Sequence, residues 1–137
     1  MPKVEQDLRG RRILVVDDDE HIRKSLSTYL GMEEFAVDTA ASGAEALSSA
    51  RANPPDLMVL DIMMPEMDGF EVVEALRAEP STARVPIILL TARGQDSDIL
   101  RGYQLGVSSY LTKPFNLDEL VGIIREVFQT VDRQPGG

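Results

Sequence analysis

Short apolar runs alternate with helical patterns along almost the whole chain, and this alternation limits the possible folds more than any other feature. Three runs are continuously apolar over four residues, at positions 13–16, 57–60 and 87–90. Runs of this length without polar interruption are typical of strands buried on both faces, as in a parallel sheet. A helical pattern follows each of them. The chain therefore predicts strands that are connected by helices.

Two more strands complete the pattern. Phe35, Val37 and Thr39 alternate with Ala36 and Asp38, which favours a less buried strand at a sheet edge. Residues 110–112 form a short fifth run. Five strand–helix units predict one α/β domain of three layers, with right-handed crossovers and helices on both faces of the sheet. A doubly wound, flavodoxin-like sheet of five parallel strands commonly has the order 2-1-3-4-5, which we expect here.

Capping residues separate these elements. A residue that can cap a helix is followed three positions later by Glu at three places, the pattern of a capping box: Ser42, Asp68 and Asn116. Asp19 is expected to begin the first helix, where acidic side chains are favoured, and Gly31 is expected to end it. We place the domain at residues 11–131, with residues 1–10 and 132–137 as flexible tails.

Composition excludes several classes of function. The chain has 137 residues, a net charge of -9, no Cys and a single His, His21. The negative charge argues against direct nucleic-acid binding by this domain, because phosphate backbones require Lys and Arg. Without Cys there are neither disulfides nor thiolate metal sites. No apolar stretch approaches the roughly 20 residues of a membrane span, so we expect a cytoplasmic protein without membrane contact.

Charged and hydroxyl side chains follow the predicted strands where a site is expected. Asp17 and Asp18 follow the first predicted strand, and Asp61 follows the third. Thr91 follows the fourth predicted strand, and Lys113 follows the fifth. In open α/β sheets, ligands bind beyond the carboxyl ends of the strands, at the point where the strand order reverses. With the order 2-1-3-4-5, the ends of strands 1 and 3 are neighbours, and the three carboxylates converge.

Converging carboxylates predict a cation site. Two carboxylates about 5 Å apart repel by roughly 3 kcal/mol at an effective dielectric constant near 20, so the cluster should raise a pKa or hold a cation. Oxygen ligands alone favour a hard ion, Mg2+ or Mn2+. An Asp beside such an ion can attack phosphorus and form an aspartyl phosphate. The Thr91 hydroxyl and the Lys113 ammonium could then neutralise the transferred group.

Four segments make the chain similar to a known family. They are residues 15–19 (VVDDD), 60–69 (LDIMMPEMDG), 90–92 (LTA) and 110–115 (YLTKPF). Together they resemble the receiver domains of response regulators in bacterial two-component signalling, including the chemotaxis regulators. The resemblance covers about residues 11 to 131.

The resemblance implies a role for each matching residue. Asp61 would be the phosphoacceptor. Asp18 and Asp61 would bind Mg2+ (Mn2+ is possible) directly, Asp17 largely through water, and the Met63 carbonyl would be a third protein ligand.

It also implies roles around the phosphoryl group. Thr91 and Lys113 would contact that group, the bond before Pro114 would be cis, and Tyr110 would be the aromatic switch residue. Arg93 and Met63 occupy positions that vary among family members and tune the lifetime of the phosphoryl group.

The function implied is that of a signalling switch rather than an enzyme. A receiver takes a phosphoryl group from a histidine kinase or a phosphotransfer protein, and it catalyses its own phosphorylation and dephosphorylation. The face formed by helix 4, strand 5 and helix 5, roughly residues 95–131, would then change. Receivers use that face to form homodimers or to contact a downstream protein or a fused output domain.

Two alternatives remain open from the sequence. The first is a Mg2+-dependent phosphohydrolase with an aspartyl-phosphate intermediate, but such enzymes commonly carry a second acid two residues after the nucleophile, where this chain has Met63. The second is a degenerate receiver that is never phosphorylated, which the complete set of site residues disfavours. Thr91, Lys113 and Tyr110 also have ordinary roles open to them: a strand end, a surface ion pair and half-buried packing.

Overall fold

A computed structural model describes residues 7–92 and 95–133 of the chain. Five strands alternate with five helices in this part of the chain: β1 (Arg12–Val16), α1 (Glu20–Met32), β2 (Ala36–Ala40), α2 (Gly43–Ala52), β3 (Leu57–Asp61), α3 (Gly69–Ala78), β4 (Ile87–Ala92), α4 (Asp96–Gln104), β5 (Ser109–Lys113) and α5 (Leu117–Arg133). All strands are parallel, and their order is β2-β1-β3-β4-β5. The predicted doubly wound sheet is confirmed.

Two apolar clusters lie on opposite faces of the sheet. Successive side chains of a strand point to opposite faces, so Leu14 and Val16 join the cluster with α2 and α3, while Ile13 and Val15 join the cluster with α1 and α5. This double burial explains why β1, β3 and β4 are continuously apolar. Strand β2 is the edge strand next to β1, and most of its side chains are exposed.

The predicted helix caps are present, whereas the predicted end of α1 is wrong. Asp68 forms a complete capping box with Glu71, and Ser42 and Asn116 each accept the backbone N–H of the Glu three residues later. Helix α1 does not stop at Gly31 but continues to Met32. The turn is made instead at Glu34, whose φ of 69° is left-handed, and the Phe35 N–H then bonds to the Leu30 carbonyl.

The segment before β1 packs against the domain. Leu8 is only 6% exposed and belongs to the cluster between the sheet, α1 and α5. The Gly10 N–H donates to the Glu34 carbonyl at 2.8 Å, and the Arg11 guanidinium lies over the Phe128 ring. The predicted start at residue 11 is therefore too late for Leu8, because the apolar cluster with α1 and α5 buries that side chain.

The opposite boundary also differs. Helix α5 continues to Arg133, two residues into the predicted C-terminal tail, and Arg11 forms an ion pair with Asp132 in its last turn. Residues 1–6 and 134–137 lie outside the described residues, so the remainder of the predicted tails stays a prediction. Within the described ranges, no helix is long and apolar enough to cross a membrane.

Truncation of Leu8 should reveal this packing. Leu8→Ala removes a buried side chain, and we expect the free energy of unfolding to fall by about 2 kcal/mol, the lower end for buried Leu. Urea denaturation measures the change. Leu100→Ala is the matched control, because Leu100 is 61% exposed and its loss should cost less than about 0.5 kcal/mol. Equal effects of the two substitutions would show that the N-terminal segment is not part of the core.

Candidate functional site

Three carboxylates meet at the carboxyl ends of β1 and β3. Each of Asp17, Asp18 and Asp61 places a carboxylate oxygen within 4.8 Å of those of the other two. They meet because β1 and β3 are paired neighbours, with Val16 opposite Leu60. Asp17 and Asp61 are buried, whereas Asp18 is exposed. The structure thus brings together the acidic residues that the sequence singled out.

The ammonium of Lys113 bridges the two buried carboxylates. Its Nζ lies 3.2 Å from Asp17 Oδ2 and 3.2 Å from Asp61 Oδ1. Lys113 ends β5, which is separated from β3 by β4, so its long side chain reaches across the end of β4. The bond between Lys113 and Pro114 is cis.

The charges of this cluster are not balanced. The pKa of Asp61 is raised to about 6, first by burial and then by the charge of Asp17, while Lys113 acts in the opposite direction. Burial by itself would lower the pKa of Lys113, but the carboxylates of Asp61 and Asp17 outweigh it and raise that pKa. Three carboxylates face one ammonium. The site therefore fits a divalent cation with a preference for oxygen ligands.

Backbone contacts hold the loop that carries Asp17 and Asp18. The Asp17 N–H donates to the Ala40 carbonyl at 3.2 Å, and Asp17 Oδ1 accepts the Asp19 N–H at 2.9 Å. Asp19 is the N-cap of α1, as predicted, and accepts the N–H groups of His21 and Ile22. His21 is exposed in the first turn of that helix.

Sequence reasoning missed one residue of this loop, Arg23. Its Nη1 donates to the backbone carbonyl of Asp17 at 2.8 Å. The only available signal was its position six residues after Asp17 on the predicted helix, and an Arg on an amphipathic helix is ordinarily solvated.

The loop after Asp61 depends on a close backbone approach. Gly69 donates its N–H to the Ile62 carbonyl at 2.9 Å, and a Cβ at this position would lie 2.8 Å from the Asp61 carbonyl oxygen. Only Gly fits here without a shift of the backbone. The Met63 N–H points to Asp61 Oδ1 at 3.4 Å, a long hydrogen bond. Asp68 caps α3, as predicted, and is not one of the clustered carboxylates.

Thr91 and Tyr110 lie on the side of the site that faces α4. Thr91 is buried, and its hydroxyl is 3.4 Å from that of Thr112. Tyr110 is half-buried, and its ring packs edge-on against Tyr103 of α4 with centroids 5.8 Å apart. These contacts link the end of β4 to α4 through β5. Arg93 lies outside the described residues.

Removal of the Asp61 charge should stabilise the metal-free protein. The pKa of Asp61 is about 6 when folded and 3.8 ordinarily, so between pH 4 and 6 the folded state holds a proton that the unfolded state has lost. Stability therefore falls as pH rises through this window, and the cost is fully present above pH 6. Asp61→Asn should raise the free energy of unfolding by about 3 kcal/mol at pH 7.5 and by almost nothing near pH 3.5.

Thermal and urea unfolding in EDTA at the two pH values measure this difference. Asp96→Asn is the control, because Asp96 is exposed in the first turn of α4 and loss of its charge should not stabilise the protein. A gain for Asp61→Asn that is the same at both pH values would contradict the electrostatic explanation.

Comparisons with known proteins agree with this geometry. The family model described as "Response regulator receiver domain" matches residues 13–125. The chain is 40% identical over 124 residues to the DNA-binding dual master transcriptional regulator RpaA of Synechocystis, covering 90% of this chain and 52% of the relative. It is 47% identical over 118 residues to the transcriptional regulatory protein PrrA of Mycobacterium tuberculosis, covering 86% and 50%. The chain spans about half the length of these relatives.

Solved structures show the same likeness. A putative response regulator from Chloroflexus aurantiacus superposes with a TM-score of 0.83 and 35% identity, covering 88% of this chain and 99% of that one. Chemotaxis protein CheY4 of Vibrio cholerae superposes with a TM-score of 0.82 and 35% identity, covering 86% and 98%.

Proposed function

This chain belongs to the family of response regulator receiver domains, and from that premise we propose that it accepts a phosphoryl group on Asp61 and switches between two states. The observation that carries the proposal is the contact of Asp61 with Lys113 beside Asp17 and Asp18. This arrangement places a nucleophile, an ammonium group and two further carboxylates at one point.

The carboxylates suit Mg2+, and Mn2+ is an acceptable substitute. Asp18 and Asp61 would bind the ion directly, Asp17 largely through water, and the Met63 carbonyl would complete the protein ligands. When bound, the ion would supply positive charge to the carboxylates and to the oxygens of the incoming phosphoryl group.

The side chains of the chain itself perform the transfer. A carboxylate oxygen of Asp61 attacks phosphorus and forms a P–O bond, while the P–N bond to the donor histidine breaks and its electron pair stays on the imidazole nitrogen. With a pKa of about 6, Asp61 is ionised at neutral pH, as the attack requires. The ammonium of Lys113 and the hydroxyl of Thr91 then donate hydrogen bonds to the phosphoryl oxygens. Hydrolysis of the acyl phosphate at the same site returns the domain to its first state.

The phosphohydrolase alternative gains no support. Its second acid would stand at position 63, which is Met, and the relatives are regulators. We propose a histidine kinase or a phosphotransfer protein as the donor, and a cytoplasmic location remains the expectation. Since two relatives are transcriptional regulators about twice as long, a fused output domain is one proposed recipient of the signal, and a separate downstream protein is the other.

Phosphorylation should be visible by mass spectrometry. Incubation with acetyl phosphate and Mg2+ should add one phosphoryl group to the intact chain, stable in acid and labile in base, with a lifetime of minutes or more. Asp61→Asn should remove the labelling and Asp96→Asn should retain it. Full labelling of Asp61→Asn would refute the assignment, and continuous phosphate release without a lasting mass gain would favour the phosphohydrolase.

We propose that the signal leaves the site through Thr91. Its hydroxyl is 3.4 Å from that of Thr112, and a phosphoryl group on Asp61 would draw the Thr91 hydroxyl toward new acceptor oxygens. Space would then open for Tyr110 to turn inward, away from Tyr103. Helix α4 is loosely held, because its N-cap lacks a side-chain hydrogen bond and Gly102 is its one buried residue. The equilibrium between two conformations of the face formed by α4, β5 and α5 would shift, and this face would then form homodimers or contact a partner.

Thr91→Ala should separate phosphorylation from this change. Beryllofluoride with Mg2+ should alter hydrogen exchange across α4 and at Tyr110 in the wild type, and Thr91→Ala should retain Mg2+ binding but lose that distant change. Thr130→Ala, on the exposed side of α5, should behave as the wild type. If the wild type changes only around Asp17, Asp61 and Lys113, the proposed route is wrong.

A further inference from the structure

We infer that Arg23 is a positioning residue for the cation site, and that it acts by holding the peptide unit between Asp17 and Asp18. This inference rests on the proposed function, because it assumes that these carboxylates bind a divalent cation. Arg23 touches neither the clustered carboxylate groups nor the ammonium of Lys113 through any contact in the described part of the chain. Its hydrogen bond is to the backbone.

The contact is short and partly buried. Arg23 lies in the first turn of α1, and its Nη1 donates to the Asp17 carbonyl oxygen at 2.8 Å. Its own backbone N–H donates to the Asp19 carbonyl at 3.1 Å, so Arg23 donates hydrogen bonds to two backbone carbonyls of the loop. Its side chain lies in a groove between α1 and β2, beside Thr39.

Other contacts already hold Asp17. One carboxylate oxygen accepts the Asp19 N–H, the other accepts from Lys113, and the N–H donates to Ala40. Its carbonyl oxygen, the remaining polar atom, belongs to the planar peptide unit that leads into Asp18. Rotation of that unit is what Arg23 prevents.

Asp18 depends on this restraint. Its side chain is exposed, and among the described residues it makes no hydrogen bond or ion pair. Its carboxylate still lies within 4.8 Å of the other two. With no side-chain contact to hold it, the direction of Asp18 is set by its backbone, which begins at the peptide unit that Arg23 holds.

A positioning role and a simple charge effect predict opposite signs. A guanidinium close to a cation site repels the cation, so its removal should tighten Mg2+ binding if charge alone matters. If Arg23 instead fixes the direction of Asp18, its removal should weaken Mg2+ binding. Residues that orient metal ligands typically contribute about 10- to 100-fold to affinity or activity. We expect the positioning effect to dominate, since the contact is direct.

Calorimetric titration with Mg2+ tests the inference. Arg23→Met keeps helix propensity and much of the stem, and should raise the Kd for Mg2+ about 10-fold. Lys24→Met is the matched control, because Lys24 is the next residue of α1, is exposed and, among residues 7–92 and 95–133, pairs only with Glu20. It also removes one positive charge, and its Kd should be unchanged or up to about threefold lower. Arg23→Lys keeps the charge and should fall between wild type and Arg23→Met.

A second measurement separates positioning from a general loss of stability. In nuclear magnetic resonance spectra of the metal-free protein, the amides of Asp18 and Asp19 should exchange faster in Arg23→Met than in Lys24→Met. Amides in β3 should exchange equally in the two variants. A role limited to stability would instead speed exchange throughout the sheet and leave the Kd unchanged.

The outcomes are distinct. Wild-type affinity or tighter binding by Arg23→Met, with a wild type that binds Mg2+ and loses it on Asp18→Asn, would overturn this inference and leave the proposed function intact. A wild type that does not bind Mg2+ would overturn both. If Arg23→Met does not fold, Arg23→Lys decides: a Kd raised at least about threefold supports the inference, and an unchanged Kd refutes it.

Discussion

The bridge from the Lys113 ammonium to two buried carboxylates is the interaction on which the rest of the site depends. Removing Asp17 and Asp61 from water is costly unless an opposite charge meets them, and Lys113 lies 3.2 Å from each. The ammonium of Lys113 does not neutralise the whole negative charge of the site, because Asp18 adds a third carboxylate. The raised pKa of Asp61 is the remaining cost. We therefore expect such a site to respond to a divalent cation or to a phosphoryl group.

The strand order makes this bridge possible. Strands β1 and β3 are neighbours, so Asp17 and Asp61 end side by side, and β5 brings Lys113 from the other edge of the sheet. The same order places Thr91 of β4 between the carboxylates and Tyr110. Helix α4 packs loosely over this end, with Gly102 as its one buried residue. Elements with few buried contacts belong to the low-stability part of a protein and are the ones that switches move.

The fold was largely predictable because its strands are buried on both faces. Continuous apolar runs predicted β1, β3 and β4, and the alternating pattern at residues 35–39 predicted β2 at an edge. The end of α1 was not predictable from Gly31, because the turn is made at Glu34 through backbone hydrogen bonds to residues of the last turn. Leu8 was missed for a different reason. A single apolar residue in a polar segment carries no periodicity, and Leu8 is buried only through its contacts in the apolar cluster with α1 and α5.

By itself, the sequence determined which chemical groups stand at the strand ends and which local caps begin the helices. Such features depend on neighbours a few residues away, so a short window contains their cause. Only the tertiary structure decided that Lys113 meets Asp17 across 96 positions of sequence and that Asp18 is left exposed. It also decided that Arg23 bonds to a carbonyl rather than to solvent. These pairings follow from the packing of helices on a shared sheet, where distance in space is independent of distance along the chain.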